Sequence, residues 1–414
     1  MATSTASTSA RGAESIPLRH QLPVYAAGMF SNGAVQLAAV IVPLWMITID
    51  PSPLMIGIAL GARQVLPVLL SIHGGALMDR MGIRRVMIWF SVLGVATPIL
   101  FPLFPFFAAV AILQMLGGIS AAMGWIGTQA QIGAIMKGSP TYAGRVTFFN
   151  RFGTLAGPPA TGAAWDLGGP WGGFGFLAFW GLALLIACLA MPKAKAGESG
   201  GGTTAAADVS WRDVLPRVGD YISAFRLMAI PAIAFVVAVT LLRHSSNGML
   251  TSFYVVWLES IGFEGTLIGT LISVSSILGG IGSLCAGRLA KTFTAYRCLV
   301  VTVCSAIFCV AITPALGASF VLLAAASMLR GGFMGVSQPL LISIMAMSAG
   351  ESQGKAVGLR TTVNRLAILA VPVAMGAVAE FVGIAASFYL VGGFLIALML
   401  LVGWRSREAF AQQS

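Results

Sequence analysis

Three arginine residues, Arg63, Arg243 and Arg330, lie near the middle of long apolar segments, and no aspartate or glutamate lies at a comparable depth. If these segments cross a membrane, each arginine costs about 2.5–3.5 kcal/mol of insertion free energy, so its presence needs a specific reason. Guanidinium groups bind carboxylates and phosphates through paired, charge-assisted hydrogen bonds. The pattern therefore predicts a binding site for a small anion, with Asn32 and Asn247 as further lining residues.

The same polar residues are also compatible with purely structural roles. Each arginine can instead cap backbone carbonyl groups or pair with a peripheral acid during folding. Hydrogen bonds between helices explain the two asparagines equally well. His73 and His244 are the buried candidates for a proton site, although a lone buried histidine is more often a hydrogen-bonded core residue.

The sequence contains no pattern for catalysis or for a cofactor. It has no phosphate-binding loop, no catalytic triad and no metal-ligand cluster, so an enzyme is not expected and neither a metal nor another cofactor is predicted. The five cysteines fall within or at the edge of apolar segments without metal-ligand spacing, which indicates packing residues. They are Cys188, Cys285, Cys298, Cys304 and Cys309.

The composition places the chain in a membrane. Of 414 residues, 57% are hydrophobic and 9% are charged, whereas an ordinary soluble domain has about 25% charged residues. About 20 apolar residues are needed to cross a bilayer core, and the runs lack the alternation of barrel strands, so they are predicted to be helices. The twelve predicted spans are residues 23–47, 53–77, 86–104, 107–134, 146–166, 172–191, 230–257, 266–287, 298–314, 320–346, 358–381 and 386–404.

The distribution of charge explains the net charge of +11 without a nucleic-acid partner. On one side of the predicted membrane, the connections hold all of the lysines and arginines that lie outside the spans. On the other side they hold Asp50, Asp166, Glu259, Glu264 and Glu380 and no basic residue. By the positive-inside rule, both termini are expected in the cytoplasm of a multi-pass protein of a cell membrane, taken to be the bacterial inner membrane.

The chain consists of two related halves. Residues 22–191 and 227–404 each hold six spans, and the linker at 192–226 contains a predicted amphipathic helix on the cytoplasmic surface. Residues 144–169 align without gaps on residues 358–383, with 11 of 26 pairs identical at an offset of 214. This indicates a parallel duplication of a six-helix unit. Residues 1–21 are predicted to be disordered and residues 405–414 to form a cytoplasmic tail.

The connection after the second span resembles the signature loop of the major facilitator superfamily. It reads Gly75, Ala76, Leu77, Met78, Asp79, Arg80, Met81, Gly82, Ile83, Arg84 and Arg85. The resemblance implies an all-α membrane fold with twelve transmembrane helices in two six-helix bundles. It also implies that Asp79 contacts the start of the eleventh helix, where Lys355 or Arg360 could add an ion pair. Ile83 stands where the family usually has a basic residue, and Lys291 replaces the acid in the second-half copy.

Several residues are candidates for gating. From the signature loop these are Gly75, Asp79, Arg80, Gly82, Arg84 and Arg85. Two symmetry-related pairs, Asn150–Arg151 and Asn364–Arg365, lie about two turns from the cytoplasmic end, so their long side chains can reach the membrane surface or hold an inner gate.

The fifth span resembles the glycine–proline motif of antiporters in this superfamily, many of which export drugs. The matching residues are Gly153, Gly157, Pro158 and Gly162. Ordinary close packing of helices predicts the same small residues. Related exporters of cations often carry an acidic residue in the first helix, where this chain has Asn32 and Gln36. They also usually carry an arginine in the fourth helix, and Gln114 stands at that position here.

These features predict a secondary active transporter that works by alternating access and carries a small carboxylate- or phosphate-type anion, with exchange as one mode. A proton-coupled multidrug efflux antiporter is the alternative. A transport-inactive membrane sensor or assembly factor on the same fold is the alternative from another class. The expected partners are a small-molecule substrate and the lipid bilayer, with no nucleic acid and with function as a monomer.

Overall fold

The computed structural model describes residues 16–49, 52–135, 140–192, 225–317, 319–348 and 353–411. These ranges form α-helices joined by short turns, together with two 3-10 segments, Leu227–Ala229 and Thr313–Leu316. The helices are α1 (Leu18–Ile49), α2 (Pro53–Ala62), α3 (Val65–Met81), α4 (Ile83–Leu103), α5 (Phe107–Ala134), α6 (Pro140–Ala190), α7 (Pro231–Leu250), α8 (Phe253–Ser260), α9 (Gly265–Phe293), α10 (Ala295–Ala311), α11 (Phe320–Ser348), α12 (Gln353–Val382) and α13 (Ile384–Ala411).

Within the described ranges, these helices form twelve spans. The second span is α2 and α3, which are separated by a turn at Arg63 and Gln64. The seventh span is α7 and α8, which are separated by a turn at Thr251 and Ser252. The fifth and sixth spans are two helices within α6, which is interrupted at Gly169 by a non-helical backbone conformation, φ 56° and ψ −146°, that favours glycine. The predicted twelve-helix membrane fold is confirmed.

The outer surface of the bundle is apolar. Large hydrophobic side chains are exposed along the spans, among them Trp89, Leu284 and Phe394. A soluble protein rarely exposes so much contiguous apolar surface, whereas a bilayer solvates it. In the part of the chain that the structure describes, ten helical segments are long and apolar enough to cross a membrane, and these segments and the shorter α10 therefore face lipid.

Some predicted boundaries fall outside the described residues or differ from the structure. Residues 1–15 and 193–224 lie outside the described residues. They include most of the predicted disordered N-terminus and most of the linker with its predicted amphipathic helix. The first helix begins at Leu18, before the expected boundary at residue 21, and α13 continues through the expected tail to Ala411. Apolar windows locate the membrane core, and helices extend beyond it into the polar surroundings.

We call the membrane face that carries Asp166, Glu259, Glu264 and Glu380 the acidic end, and the opposite face the basic end. The two halves meet along two helix pairs, α6 with α9 and α2 with α12. A Cβ at Gly269 would lie 2.2 Å from the carbonyl oxygen of Pro158, and one at Gly57 would lie 2.3 Å from that of Pro372. By contrast α3, which continues α2 towards the basic end, has little contact with α12 among the described residues. The described contacts between the halves therefore lie mainly towards the acidic end.

Candidate functional site

Among the described residues, the seventh and tenth spans provide Arg243 with neutral hydrogen-bond partners. Arg243 on α7 donates from Nε to the hydroxyl of Ser337 on α11 at 2.9 Å and from Nη2 to the carbonyl oxygen of Met334 at 3.1 Å. Its Nη1 lies 3.3 Å from Nε2 of His244. These contacts fix the guanidinium group in place without neutralising it.

Arg330 lies beside the same pair of helices. It donates from Nη2 to Oδ1 of Asn247 at 3.0 Å. The residue is only 4% exposed, and its Nε has no hydrogen-bond partner among the described residues. Because buried N–H groups are nearly always bonded, this donor is one that a bound anion or a water molecule can satisfy.

Helical spacing explains why these side chains meet. Arg243 and Asn247 are one turn apart on α7 and therefore share a face. On α11, residues at intervals of three or four share the facing side, and they are Ser327, Arg330, Met334 and Ser337. The polar face of α7 packs on the polar face of α11, so both arginines lie between them.

A third cation, Arg360 on α12, acts electrostatically on Arg243 and His244, as Arg330 does. We call Arg243, Arg330 and Arg360 the arginine cluster. Among the side chains that the structure describes, the acidic ones are Asp166, Glu259, Glu264 and Glu380, and all are exposed at the acidic end. The cluster therefore has no described carboxylate to compensate it.

The structure adds polar residues that the sequence analysis did not select. Tyr254 on α8 is 2% exposed, and its hydroxyl lies 3.3 Å from that of Ser327. Arg330 acts electrostatically on Tyr254, which places this pair beside the cluster. Ser337 was also missed, although its spacing from Arg330 along α11 was a usable signal. Tyr254 gave no such signal, because the turn at Thr251 rotates α8 relative to α7.

Arg63 lies in the other half and contacts neither Arg243 nor Arg330 among the described interactions. Its Nη1 donates to Oε1 of Gln114 on α5 at 3.4 Å. It lines a cavity of about 40 Å³ between α1, α4, α5 and α6. Asn32 is half-buried on α1, in the same half. The structure thus brings together Arg243, Arg330 and Asn247 of the five candidate binding residues.

All of the signature-loop residues lie in the described backbone, but the side chains of Asp79 and Arg80 are not among the described ones. The side chain of His73, which precedes the loop, is not described either. Gly82 joins α3 to α4 with φ 88°. Arg84 donates from Nη2 to the carbonyl oxygen of Leu189 at 2.7 Å, near the end of the sixth span, which is a favourable place for a cation. Arg84 therefore ties two helices of one half together, while Arg85 is exposed.

The symmetric asparagine–arginine pairs lie towards the basic end. The side-chain oxygens of Asn150 and Asn364 are both buried without a hydrogen-bond partner among the described residues. Arg151 is exposed and its guanidinium lies near Gly280 on α9, in the opposite half. Arg365 is partly buried. These groups have unused hydrogen-bonding capacity in this conformation.

The glycine–proline motif of the fifth span serves close helix contacts. Gly153 and Gly157 face α1, where an added Cβ would lie 2.7 Å from the carbonyl oxygen of Met29 and 2.4 Å from a methyl group of Leu37. Gly162 and Pro158 face α9, at the junction of the two halves. This geometry is the one expected if the motif serves ordinary close packing of helices.

Comparisons with known proteins give consistent results. A family model described as Major Facilitator Superfamily matches residues 24–319 and residues 236–413. Comparison with curated protein sequences gives no match.

Solved structures share the fold. The nucleoside transporter NupG, in a point-mutant form, has a TM-score of 0.76 at 14% identity, covering 95% of this chain and 100% of that chain. A bacterial homologue of the human lysosomal transporter Spinster, in an inward-facing and unoccupied conformation, has a TM-score of 0.68 at 15% identity, covering 95% and 98%.

Proposed function

We propose, from the premise that this chain belongs to the major facilitator superfamily of secondary transporters, that it carries a small carboxylate- or phosphate-type anion by alternating access. The observation that supports the substrate class is the arginine cluster, which is held by neutral partners. Like charges in a site of low dielectric repel strongly, so such a cluster favours an anion and disfavours a cation.

The donors of the cluster suit a carboxylate or a phosphate. Arg330 has a buried Nε without a described partner, and Arg243 is partly exposed beside it. A planar guanidinium can bind two oxygens of one anion. Asn247 and Ser337 orient the two arginines through the hydrogen bonds given above, so we assign them positioning roles.

Alternating access is supported by the close contacts at the acidic end and by the sparse contact between α3 and α12 among the described residues. With the basic end at the cytoplasm, this conformation faces inward. We assign Asn150 and Asn364 to the gate at the basic end. Their side-chain oxygens are buried without a partner among the described residues, and they find partners when the basic end closes. With this orientation, an impermeant thiol reagent should label Leu167→Cys on intact cells, because Leu167 is 90% exposed at the acidic end.

The test of the substrate class is ligand-induced thermal stabilisation of the purified protein. The probes are mono- and dicarboxylates, inorganic phosphate, a nucleoside and a lipophilic cation. A ligand at 100 times its Kd stabilises a fold by about 2.7 kcal/mol, so an anion that binds should raise Tm while the nucleoside and the cation should not. Stabilisation by the nucleoside or the cation, without any by an anion, would reject the proposal.

The same assay tests the residues of the cluster. Arg243→Gln and Arg330→Gln should each weaken anion binding about 10- to 100-fold, because each removes a charge-assisted hydrogen bond worth about 1.5–3 kcal/mol. Uptake of the radiolabelled anion into proteoliposomes should fall in parallel. Arg405→Gln, at an exposed position of the basic end, is the matched control. Ser337→Ala is a milder change for the case in which an arginine variant does not fold.

A further inference from the structure

Two carboxylates at the acidic end each bind the first turn of a helix in the opposite half. Asp166 on α6 accepts hydrogen bonds from the backbone N–H groups of Gly265 at 2.7 Å and Thr266 at 2.8 Å. The hydroxyl of Thr266 donates to the same carboxylate at 2.5 Å. Gly265 is the first residue of α9, so Asp166 satisfies donors that a helix leaves unpaired at its N-terminus.

Glu380 makes the corresponding contact at the second junction. It lies near the end of α12 and accepts from the backbone N–H of Leu54 at 3.2 Å and from the hydroxyl of Ser52 at 2.9 Å. The helix α2 begins at Pro53, which has no N–H to donate. The Ser52 hydroxyl supplies the second donor instead.

The internal duplication relates the two contacts. Asp166 and Glu380 are 214 positions apart, the offset of the repeat. One turn before each carboxylate lies a glycine of a symmetry-related pair, Gly162 and Gly376. A Cβ at Gly162 would lie 2.0 Å from the carbonyl oxygen of Gly265, and one at Gly376 would lie 2.5 Å from that of Pro53. Each junction therefore combines a close backbone contact with a carboxylate cap.

We propose that Asp166 and Glu380 form a two-point latch that holds the acidic end closed and opens once in each transport cycle. A carboxylate at a helix N-terminus is stabilised both by hydrogen bonds and by the helix dipole. Such bonds are lost beyond a donor–acceptor distance of about 3.5 Å, so a separation of the helices by roughly an ångström releases the latch.

The latch rests on the alternating-access part of the proposed function and not on the anionic substrate. Its test is the distance between the halves at the acidic end, measured without any solute. Spin labels at Phe106→Cys, before α5, and Ala315→Cys, before α11, are exposed and lie in opposite halves. The full chain is used in lipid, with its five native cysteines replaced, and distances are read by pulsed electron paramagnetic resonance.

Asp166→Asn and Glu380→Gln should each raise the ratio of molecules with long to molecules with short distances between the labels about 10- to 100-fold, the range for loss of one charge-assisted hydrogen bond. The double variant should show the product of the two effects, because the junctions share no partners. Wild-type distance distributions in both single variants and in the double variant would overturn the latch.

Two further variants make the test specific. Glu259→Gln removes an exposed carboxylate from the same end that has no hydrogen bond to the opposite half among the described residues, and it should leave the distances unchanged. Thr266→Val removes one donor while the backbone cap stays, so it should give a smaller shift in the same direction and almost none when added to Asp166→Asn. A shift in Glu259→Gln equal to that in Asp166→Asn would reject a specific latch. Because no solute is present, failure of the latch leaves the anion proposal to be judged by its own binding assay.

Discussion

At the scale of single residues, Arg63 differs from Arg243 and Arg330 in its surroundings. The cavity that it lines has a volume of about 40 Å³. A water molecule needs about 10–15 Å³ on this measure, so the space can hold a few waters but no organic anion. The side chain also lies at the break between α2 and α3, against the α5 segment that contains Gly118. Arg63 therefore fits a role in the stability of its own half.

Arg63→Gln should lower the Tm of the solute-free protein and leave the Kd for the anion unchanged within about twofold. Removal of the guanidinium leaves the buried Gln114 without its partner, which costs about 1–3 kcal/mol of folding free energy. Thermal shift and ligand titration on one preparation give both quantities. Gln114→Leu, which removes the other member of the pair, is the matched control and should also lower Tm. Weaker anion binding at unchanged stability would instead put Arg63 in the substrate site.

The residue types of the candidate site could be predicted from the sequence, but their grouping could not. An uncompensated arginine in an apolar segment is visible from composition, and this selected Arg63, Arg243 and Arg330 alike. Which of them meet depends on the rotation of each helix about its axis. The spacing of Arg243 with Asn247 shows that they share a face of α7, but nothing in the spacing shows that this face meets α11. For Arg63, the sequence also does not reveal the backbone turn at Arg63 and Gln64.

At the scale of elements, the junctions of α6 with α9 and of α2 with α12 depend on glycine. Gly269→Ala would put a Cβ 2.2 Å from the carbonyl oxygen of Pro158, which is backbone and cannot rotate away. Overpacking of this kind costs about 1–3 kcal/mol, so the closed state should lose about 5- to 150-fold in population relative to open states. The spin-label pair at Phe106 and Ala315 measures this change.

Gly287→Ala is the control on the same helix. A Cβ at Gly287 would meet no atom within 4 Å, so this substitution should be neutral or should stabilise α9 by about 0.5–1 kcal/mol through the higher helix propensity of alanine. Equal distance distributions in Gly269→Ala and Gly287→Ala would show that glycine packing does not control closure of the acidic end.

The number and order of the helices could be predicted because each span needs a run of apolar residues about as long as the bilayer is thick. The local breaks could not be predicted in this way. The turns at Arg63 and Thr251 lie inside single spans and change the backbone over one or two residues, whereas hydropathy is averaged over a whole span. The bend at Gly169, by contrast, lies in the predicted connection between residues 166 and 172. Pro170, directly after Gly169, was the available signal for the bend, since proline disfavours helix in the residue before it.

At the scale of the whole molecule, the duplication and the charge distribution have different symmetries. The junctions at the acidic end repeat in both halves, with Gly57 on Pro372 and Gly269 on Pro158. The arginine cluster does not repeat, because Arg243, Arg330 and Arg360 all belong to the second half. The symmetric parts therefore suit the rocking of two equal bodies, and the asymmetric part suits recognition of one solute.

This arrangement predicts transport by exchange. Like charges held together in a site of low dielectric repel each other, so an empty arginine cluster resists enclosure when the basic end closes over it. A bound anion removes that resistance, and each 1.4 kcal/mol removed from the barrier speeds the step about tenfold. Uptake of radiolabelled anion should therefore be at least about tenfold faster into proteoliposomes loaded with unlabelled anion than into empty ones. Arg360→Gln, which removes one charge of the cluster, should reduce this acceleration, whereas equal rates into loaded and empty vesicles for the wild type would show that the empty carrier reorients freely.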